Sequence, residues 1–424
     1  MIYNIVIYFV LWGIAIASLF NEKVRKMWRG ERDAFKILRQ KVDPDAKYVW
    51  FHAASLGEFE QGRPLMERIR KEHPQYKILL TFYSPSGYEV RKNYEGADII
   101  CYMPVDTRLN AIRFLRLVRP VMAFFIKYEF WSNFLHILKH RGIPTYSVSS
   151  IFRPDQVFFK WYGMSYAGVL RCFDRFFVQN EESKRLLESI GITSVDVVGD
   201  TRFDRVLQIK EAAKDLPVCE AFRKGRVSAS LESSSETLPK EGFKVFVAGS
   251  SWPPDEEIFI RFFNEHKDWR LLIAPHVIGE DHLKFILSKI EGKKVVRYTQ
   301  TSPEEAAGAD VLIIDCFGLL SSMYRYGDVA YVGGGFGVGI HNTLEAAVWN
   351  MPVIFGPNNK KFQEAQGLLL AQGGFEISNY AEFETLMNEL MTDSSFLQSS
   401  GEKAGAFVAS LSGATGKVLD KVKL

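Results

Sequence analysis

The chain has 424 residues, of which 47% are hydrophobic and 24% are charged, and its formal net charge is +3. This composition is typical of a globular protein and excludes an intrinsically disordered one, while the length exceeds one ordinary core and predicts two domains. The net charge is too small for a broad nucleic-acid surface, so nucleic acid is not expected as a partner.

The first 20 residues form a nearly continuous apolar segment, with Asn4 and Ser18 as its main polar residues. At about 1.5 Å per residue, such a helix covers roughly 30 Å, the hydrocarbon thickness of one bilayer. The basic residues follow the segment and none precedes it: Lys23, Arg25, Lys26, Arg29 and Arg32. This pattern predicts a membrane anchor with the rest of the chain in the cytoplasm, not a cleaved signal peptide. The alternative is an interfacial helix with Tyr3, Tyr8 and Trp12 at the headgroups.

After the anchor, short apolar runs alternate with helical patterns, which is the rhythm of a parallel α/β sheet. The strands predicted in the first half are Tyr48 to His52, Ile78 to Phe82, Ile99 to Met103, Val121 to Ile126, Thr145 to Val148 and Phe176 to Val178. Those predicted in the second half are Lys244 to Ala248, Leu271 to Ala274, Lys294 to Tyr298, Val311 to Ile314, Val329 to Val332 and Val353 to Phe355. We therefore predict two Rossmann-like domains that face each other across a cleft.

The pattern breaks between the two halves. Residues 208–242 contain a charged helical stretch and the low-complexity polar segment Ser228 to Ser235, which is typical of an exposed loop or linker. The predicted organisation is a membrane anchor at residues 1–22, an N-terminal Rossmann-like domain at 23–207, a linker at 208–242 and a C-terminal Rossmann-like domain at 243–424.

The ends of the predicted strands are the first place to look for chemistry, because open parallel sheets bind ligands beyond the carboxyl ends of their strands. The segment Phe51 to Glu58 follows the first strand and begins a helix. Glu58 is a candidate general base in the cleft. However, Ser55-x-x-Glu58 is also a capping box, in which the glutamate closes the helix start, and the pattern alone favours that role. The two roles are compatible, because a capping glutamate is well oriented.

A second acidic candidate follows the strand Val121 to Ile126. Glu129 lies among aromatic residues in the segment Lys127 to Asn133, which suggests a contact with a sugar or a charge. The alternative is a helix start, where a carboxylate is stabilised by the positive end of the helix dipole.

A basic candidate lies just before the predicted domain boundary, in the segment Gly199 to Asp204. The guanidinium fork of Arg202 is suited to holding a carboxylate or a phosphate. The alternative is an interdomain salt bridge with Asp200 or Asp204.

In the second half, the glycine-rich run Val329 to Pro357 predicts a nucleotide site. Its glycines allow a backbone to approach a ligand, and the helix that opens after His341 offers amides to a phosphate. Glu345, in the first turn, is placed to accept hydrogen bonds from ribose hydroxyls. The run contains neither the G-x-G-x-x-G register nor a Walker motif, so a glycine turn without a ligand is the alternative.

Three further strand ends in this half are suited to a ligand, although none is specific alone. They are Ala248 to Trp252, Ala274 to His276 and Asp315 to Leu320. Their placement at successive strand ends is a stronger indication than any one of them.

The cysteine and histidine patterns argue against a metal site. The four cysteines are scattered without a C-x-x-C pair, which also argues against a disulfide framework and fits a reducing compartment. The histidines show no H-E-x-x-H motif, and His136 and His140 are interpreted as a surface pair. No metal is expected.

Together, these motifs resemble those of the 3-deoxy-D-manno-octulosonic acid (Kdo) transferases, membrane-associated enzymes of lipopolysaccharide biosynthesis in Gram-negative bacteria. The resemblance covers nearly the whole chain: the anchor, His52 to Glu58, Tyr128 to Asn133, Gly199 to Asp204, Ala248 to Ser251 and Val329 to Pro357. It implies an α/β fold of the GT-B type. It also implies an inverting, metal-independent transfer of Kdo from CMP-Kdo to the lipid A precursor (lipid IVA), with no other cofactor, on the cytoplasmic side of the inner membrane.

The resemblance also assigns residues. The catalytic base of the family falls on Glu58, and a second glutamate that supports the transition state falls on Glu129. The lysine of its G-N-x-K-F-D motif falls on Arg202, and the asparagine of that motif is Asp200 here. The contacts to CMP fall on Pro275, His276, Phe317, Gly318, Leu319, Asn342, Thr343, Leu344 and Glu345.

Two departures weaken the assignment of side-chain contacts to CMP, but not of backbone contacts. The family's P-R-H reads Pro275-His276-Val277, which lacks the arginine, and its D-T-x-G-E-L reads Asp315 to Leu320 without the glutamate. Two other interpretations stay open at this point. One is a different GT-B transferase that uses a UDP-sugar at the membrane, and the other is a non-catalytic nucleotide-binding membrane scaffold.

Overall fold

The computed structural model describes residues 2–225, 242–337 and 339–424. The chain forms two compact units: unit 1 comprises Met1–Arg205 and Leu411–Leu424, and unit 2 comprises Val206–Ser410. Each unit contains a seven-stranded sheet, and the paired strands in both sheets are parallel. The predicted α/β class with two Rossmann-like domains is confirmed.

The sheet of unit 1 has the order β3-β2-β1-β4-β5-β6-β7. Its central strands are continuous apolar runs because both faces of the sheet are covered, one by each of two core clusters. The strands are β1 (Lys47–Ala53), β2 (Tyr76–Phe82), β3 (Ile99–Tyr102), β4 (Met122–Ile126), β5 (Thr145–Ser150), β6 (Arg175–Val178) and β7 (Val195–Val197).

The helices of unit 1 begin with the predicted anchor, which is helical and is the one described helix long and apolar enough to cross a membrane. They are α1 (Ile2–Phe20), α2 (Glu22–Lys41), α3 (Leu56–Glu72), α4 (Pro85–Arg91), α5 (Arg108–Val118), α6 (Ser132–His140), α7 (Met164–Ala167) and α8 (Glu181–Ser189). The next helix, α9 (Arg202–Glu211), contains the boundary between the units.

The sheet of unit 2 has the order β10-β11-β9-β8-β12-β13-β14. Its strands are β8 (Lys244–Ser251), β9 (Trp269–Pro275), β10 (Val295–Arg297), β11 (Val311–Ile313), β12 (Val329–Val332), β13 (Val353–Phe355) and β14 (Gly374–Glu376). Its helices are α10 (Pro217–Lys224), α11 (Pro253–Glu265), α12 (Glu280–Lys289), α13 (Pro303–Ala306), α14 (Leu320–Met323), α15 (Leu344–Ala347), α16 (Gln363–Leu370), α17 (Tyr380–Thr392) and α18 (Ser394–Ser410).

The two units differ from the predicted domain limits at the C-terminus. The predicted second domain ran to residue 424, but Leu411–Leu424, with its helix α19 (Ala414–Leu419), belongs to unit 1. Ala414 and Val418 are fully buried in the core cluster that contains Val49 of β1. The predicted linker contains the ordered helix α10, and its segment Ser228 to Ser235 lies outside the described residues.

Asp204 holds the C-terminal segment Leu411–Leu424 in place through hydrogen bonds. Its carboxylate accepts hydrogen bonds from the backbone N–H of Gly413, and from the N–H and the hydroxyl of Thr415 at 2.6 Å each. These donors lie at the start of α19, where backbone N–H groups have no partner within the helix. The side chain therefore acts as a cap supplied from a distant part of the sequence.

We predict that Asp204→Ala lowers the free energy of unfolding by about 1–2 kcal/mol, because it removes a helix cap with a charged acceptor. Urea denaturation and amide hydrogen exchange of residues 414–419 measure the effect. Asp420→Ala, an exposed carboxylate at the other end of α19, is the matched control. Equal stability of the two variants would contradict the assignment.

Candidate functional site

The candidate site in unit 1 lies where the strand order of the sheet reverses. β1 pairs with β2 on one side and with β4 on the other, so the connections that follow β1 and β4 leave in opposite directions. Such a reversal opens a crevice at the carboxyl ends of the strands, which is the usual ligand site of an open α/β sheet. Glu58 follows β1 and Glu129 follows β4, so the fold brings the two predicted catalytic acids to the same edge.

Glu58 forms the predicted cap of α3. Its Oε2 accepts hydrogen bonds from the N–H of Ser55 at 2.8 Å and from the hydroxyl of Ser55 at 3.0 Å. Both bonds end on the same oxygen, and within the described part of the chain no hydrogen-bond donor contacts Oε1. The cap therefore fixes the carboxylate while leaving one oxygen for another partner.

Glu129 lies before α6, not in its first turn, so the alternative role at a helix start is not what the structure shows. The residue is 9% exposed, and its Oε2 lies 3.0 Å from His52 Nε2 and 2.6 Å from Trp131 Nε1. A carboxylate can only accept hydrogen bonds, so Nε2 of His52 carries the proton in this pair. The indole N–H, which is also 3.1 Å from Nε2, therefore donates to Glu129 and not to the histidine.

The hydroxyl of Thr81, at the end of β2, extends this network into the core. Its oxygen lies 2.9 Å from Nδ1 of the fully buried His52 and accepts a hydrogen bond from Trp50 Nε1 at 2.8 Å. Thr81 was not among the site residues predicted from the sequence. A threonine inside the otherwise apolar run Ile78 to Phe82 was the available signal, because a buried hydroxyl requires a partner.

The charges at this edge are coupled. Burial raises the pKa of Glu58, and the negative charge of Glu129 raises it further, while the bonds from Ser55 and the positive charge of Lys127 oppose the rise. Lys127 itself adopts a left-handed backbone conformation with φ of 67° directly after β4. The edge thus combines two carboxylates and one cation within electrostatic reach of each other.

Arg202 forms a salt bridge with Asp200, which was one of its two alternative partners. Its Nε and Nη2 both lie 2.8 Å from Asp200 Oδ2. Asp200 also accepts a hydrogen bond from Gln61 of α3 at 3.1 Å. The bridge lies within unit 1 and is not interdomain. It holds the guanidinium close to the helix that carries Glu58.

In unit 2 the strand order reverses between β8 and β12, and one buried acid joins the two strand ends. Asp255 is fully buried near the start of α11, where it accepts hydrogen bonds from Trp252 N at 2.9 Å, Gly334 N at 2.9 Å and Tyr331 Oη at 2.8 Å. Burial raises its pKa despite these donors. Asp255 therefore fixes the glycine turn of the predicted nucleotide site, a role that the sequence analysis missed because Trp252 is not a typical N-cap.

The glycine turn is close-packed, which explains two of its glycines. A Cβ on Gly333 would lie 2.3 Å from the carbonyl oxygen of Ser250, and one on Gly335 would lie 2.5 Å from the backbone of Gly356. Side chains at these positions are excluded by backbone atoms that have little room to move. The glycines therefore have a packing role whether or not a ligand binds.

Three rings stack beside this turn. The ring centroids of Trp252 and His276 are 4.7 Å apart, and those of His276 and His341 are 4.4 Å apart. Trp252 Nε1 donates to His341 Nε2 at 3.2 Å, so that nitrogen is unprotonated. Burial, together with the neighbouring His276, lowers the pKa of His341 to about 4. His341 is therefore a neutral ring near pH 7.

Part of the predicted CMP site surrounds a cavity of about 190 Å³. Its lining includes Pro275, His276, Phe317 and Gly318, together with Ser250 of β8. The side chain of Phe317 is 79% exposed, which is unusual for an aromatic residue. Leu319 and the segment 342–345 are not among the lining residues.

The segment 342–345 forms its own contacts. Glu345 accepts hydrogen bonds from Ser321 Oγ at 2.7 Å and from Asn342 Nδ2 at 3.0 Å, and it lies in the first turn of α15 as predicted. Leu344 and Thr343 are fully buried, and the Thr343 hydroxyl has no hydrogen-bond partner within the described residues. The structure thus brings four of the nine predicted CMP contacts together and places Leu319 and the other four outside that cavity.

The described residues contain no group of three or more His, Cys, Asp or Glu side chains that could hold a metal ion. His136 and His140 are exposed on α6, in agreement with their interpretation as a surface pair. All four cysteines are free thiols: Cys101, Cys172, Cys219 and Cys316.

Comparisons with known proteins identify related sequences. Residues 29–205 match the family model described as 3-deoxy-D-manno-octulosonic-acid transferase (kdotransferase). A 3-deoxy-D-manno-octulosonic acid transferase of Aquifex aeolicus is 28% identical over 353 residues, which cover 81% of this chain and 86% of that protein. The enzyme of the same name from Chlamydophila psittaci is 26% identical and covers 81% of this chain and 77% of its own length.

Among solved structures, UDP-GlcNAc 2-epimerase from Neisseria meningitidis has a TM-score of 0.59 at 14% identity, covering 88% of this chain and 98% of that one. This likeness supports the fold alone. The relationship predicted from the motifs is confirmed: the chain is related to the Kdo transferases over most of its length, it has the GT-B fold, and it is a glycosyltransferase.

The coupling between the two acids generates a prediction. Glu129→Gln removes the negative charge that disfavours the ionised form of Glu58, so the pKa of Glu58 should fall. Lys127→Met removes the cation that favours the ionised form, so the same pKa should rise. Carbon-13 NMR titration of the side-chain carboxyls, with the Glu58 signal assigned through Glu58→Gln, measures both shifts. Movement in the same direction, or no movement, would contradict the arrangement.

Proposed function

We propose that this glycosyltransferase transfers Kdo from CMP-Kdo to a sugar hydroxyl of the lipid A precursor lipid IVA, on the cytoplasmic side of the inner membrane. The reaction is a single displacement with inversion at the anomeric carbon, and Glu58 is the general base. It uses no metal and no cofactor besides the donor CMP-Kdo. The support comes from the family relationship and from the arrangement of acids beside β1 and β4.

The observation that carries this proposal is the raised pKa of Glu58, together with the one carboxylate oxygen that Ser55 leaves for another partner. A general base works best when its pKa lies closer to the working pH than that of an ordinary carboxylate. Burial and the charge of Glu129 raise the pKa of Glu58 in that direction. Because Ser55 holds only Oε2, Oε1 can accept the proton of the acceptor hydroxyl as that hydroxyl attacks.

Glu129 has a different role in this mechanism. The transition state of a glycosyl transfer resembles an oxocarbenium ion, which carries positive charge on the sugar ring. A carboxylate fixed by His52 and Trp131 is suited to stabilising that charge, since its position needs no reorganisation during the reaction. It also keeps Glu58 ready to bind a proton.

Kdo carries a carboxylate at its reacting carbon, so the donor requires a cation nearby. We assign this role to Arg202, whose planar guanidinium recognises carboxylates through paired hydrogen bonds. Asp200 orients the group through Nε and Nη2. The lysine of the family's G-N-x-K-F-D motif is thus replaced in this chain by an arginine whose guanidinium is oriented by Asp200.

The nucleotide is assigned to unit 2. The cavity beside Pro275, His276, Phe317 and Gly318 would hold part of the CMP, and the exposed ring of Phe317 offers a surface on which a base can stack. In this proposal the segment from Asn342 to Glu345 and Leu319 complete the nucleotide site, with Glu345 at the ribose and backbone amides at the leaving phosphate.

The apolar helix α1 and the exposed basic residues Lys23, Lys26, Arg29 and Arg32 provide the membrane association that a lipid acceptor requires. A soluble nucleotide-sugar can then meet its lipid acceptor at the bilayer surface.

We expect Glu58→Gln to lower turnover by about 10²–10⁴-fold, the usual contribution of a general base, with CMP binding nearly unchanged. The measurement is product mass and rate after incubation with freshly generated CMP-Kdo and a tetraacylated lipid A precursor. Glu72→Gln, an exposed carboxylate at the end of the same helix, is the matched control. Equal loss of turnover and CMP binding in Glu58→Gln would mean that the residue is structural. The mass gain of the product also counts the Kdo units added.

The nucleotide preference gives a second test. CMP should raise the melting temperature of the protein and UDP should not, whereas a transferase that uses a UDP-sugar would show the reverse.

Phe317→Ser should weaken CMP binding about tenfold, because it removes a stacking partner for the base. Leu370→Ser removes a similarly exposed apolar side chain elsewhere in unit 2, and should leave CMP binding unchanged. Equal CMP affinity of the two variants would exclude Phe317 from the site.

A further inference from the structure

The first turn of α1 is fastened to the body of unit 1 by polar contacts. The hydroxyl of Tyr3 donates to Asp106 Oδ2 at 2.6 Å, and Asn133 Nδ2 donates to Asn4 Oδ1 at 2.8 Å. Asp106 is fully buried, and Asn133 lies at the start of α6. These two hydrogen bonds place the N-terminal end of α1 against the α/β body of unit 1, not in the hydrocarbon of a bilayer.

The other end of α1 is held to the same unit. Arg25 donates from Nε to the carbonyl of Ser18 at 2.9 Å and from Nη2 to that of Leu19 at 2.8 Å, which caps the last turn. The following helix α2 is packed into the core of unit 1 through Ala34 and Leu38, both of which are fully buried. Both ends of α1 are therefore attached to one body.

This attachment is incompatible with a helix that spans a bilayer. α1 has 19 residues and is about 28 Å long, so a spanning arrangement would place its two ends on opposite sides of the hydrocarbon. Tyr3 cannot lie on the far side while its hydroxyl is bonded to Asp106 of the cytoplasmic body. The helix must instead lie along the surface of that body.

The outer face of α1 is nevertheless apolar and exposed. Phe9 and Trp12 are each 72% exposed, and Phe20 is 84% exposed. A second aromatic group lies beyond the first turn: Tyr166 stacks on Tyr3 with ring centroids 6.5 Å apart, and nearby in the chain Trp161 is 85% exposed. Exposed aromatic residues of this kind favour the headgroup region of a bilayer.

The charges beside this face are complementary to anionic lipid. Four basic side chains are exposed on α2, directly after α1: Lys23, Lys26, Arg29 and Arg32. Exposed basic residues beside an apolar surface attract that surface to anionic lipid headgroups. The apolar area, the aromatic residues and the charge thus indicate one partner, the surface of an anionic bilayer.

We propose that α1 is an in-plane membrane anchor, which lies along the headgroup–acyl boundary of an anionic bilayer with both of its ends on the cytoplasmic side. This arrangement also determines where the acceptor meets the enzyme. Asp106 accepts hydrogen bonds from the N–H groups of Asn133 and Phe134, at 3.0 Å each, and these residues follow directly after Glu129 and Trp131. If the proposed function holds, the anchor therefore places the edge that carries Glu58 and Glu129 near the lipid headgroups.

The test of topology uses an N-terminal epitope tag with a protease site, expressed on the full chain, in inverted inner-membrane vesicles whose cytoplasmic surface faces outward. An in-plane helix leaves the tag outside, so protease should cleave it as completely without detergent as with detergent. Protection of the tag until detergent is added would overturn the proposal. A C-terminal tag on the same chain, next to unit 1, reports the orientation of the vesicles, and neither measurement depends on catalytic activity.

The attachment of the first turn has its own matched pair of variants. Tyr3→Phe removes the hydroxyl that bonds Asp106, while Tyr8→Phe makes the same change at a residue that is 53% exposed on the same helix. Amide hydrogen exchange at the start of α1 should become faster in Tyr3→Phe only. Equal exchange in both variants would show that the contact with Asp106 does not hold the helix.

The lipid partner is tested by flotation with phosphatidylcholine vesicles that contain or lack phosphatidylglycerol. Lys23→Gln/Arg29→Gln should weaken binding to the anionic vesicles by about fivefold for each charge removed. Lys267→Gln/Lys284→Gln removes two exposed charges from unit 2 and should not. Equal binding of the two double variants, or binding that is insensitive to phosphatidylglycerol, would overturn the assignment of the partner.

Discussion

The reversal of strand order in each sheet is the constraint on which the rest of the site depends. Parallel strands must be joined by crossover connections, and a sheet that grows in both directions from one strand leaves a crevice where the connections diverge. In unit 1 this point lies between β1 and β4, and in unit 2 between β8 and β12. The two glutamates in one unit and the glycine turn in the other follow these strands, so their positions are a consequence of topology before any ligand is considered.

The two units place an acid at equivalent positions and use it differently. Glu58 and Asp255 are both the third residue of the helix after the first strand of their unit, and each accepts a bond from the backbone at the helix start. Asp255 is fully buried and also bonds Tyr331 and Gly334, so its donors occupy both carboxylate oxygens. Glu58 is only half-buried and its bonds occupy one oxygen. The same local capping geometry therefore gives a structural acid in unit 2 and a chemically available one in unit 1.

Local patterns predicted most of this fold, and the failures have physical reasons. Twelve of the fourteen strands within the described residues were found because buried parallel strands are continuous apolar runs. The other two interrupt that pattern: β7 reads Val195-Asp196-Val197 and β14 reads Gly374-Phe375-Glu376. The capping box at Glu58 is local and was predicted as well. The pairing of His52 with Glu129 spans 77 residues, and the bonds from Asp204 to Thr415 span 211, so neither leaves a trace in local sequence.

The division of roles between the two glutamates follows from their partners. Glu129 accepts hydrogen bonds from the imidazole of His52 and the indole of Trp131, and Thr81 fixes the buried His52 from its other side, so the network holds this carboxylate in place. Its negative charge acts on Glu58, whose ionised form is already disfavoured by burial. In the proposed mechanism, a base and a charge stabiliser thus arise from two identical side chains because their partners differ: Ser55 holds Glu58 at the helix start, whereas His52 and Trp131 hold Glu129.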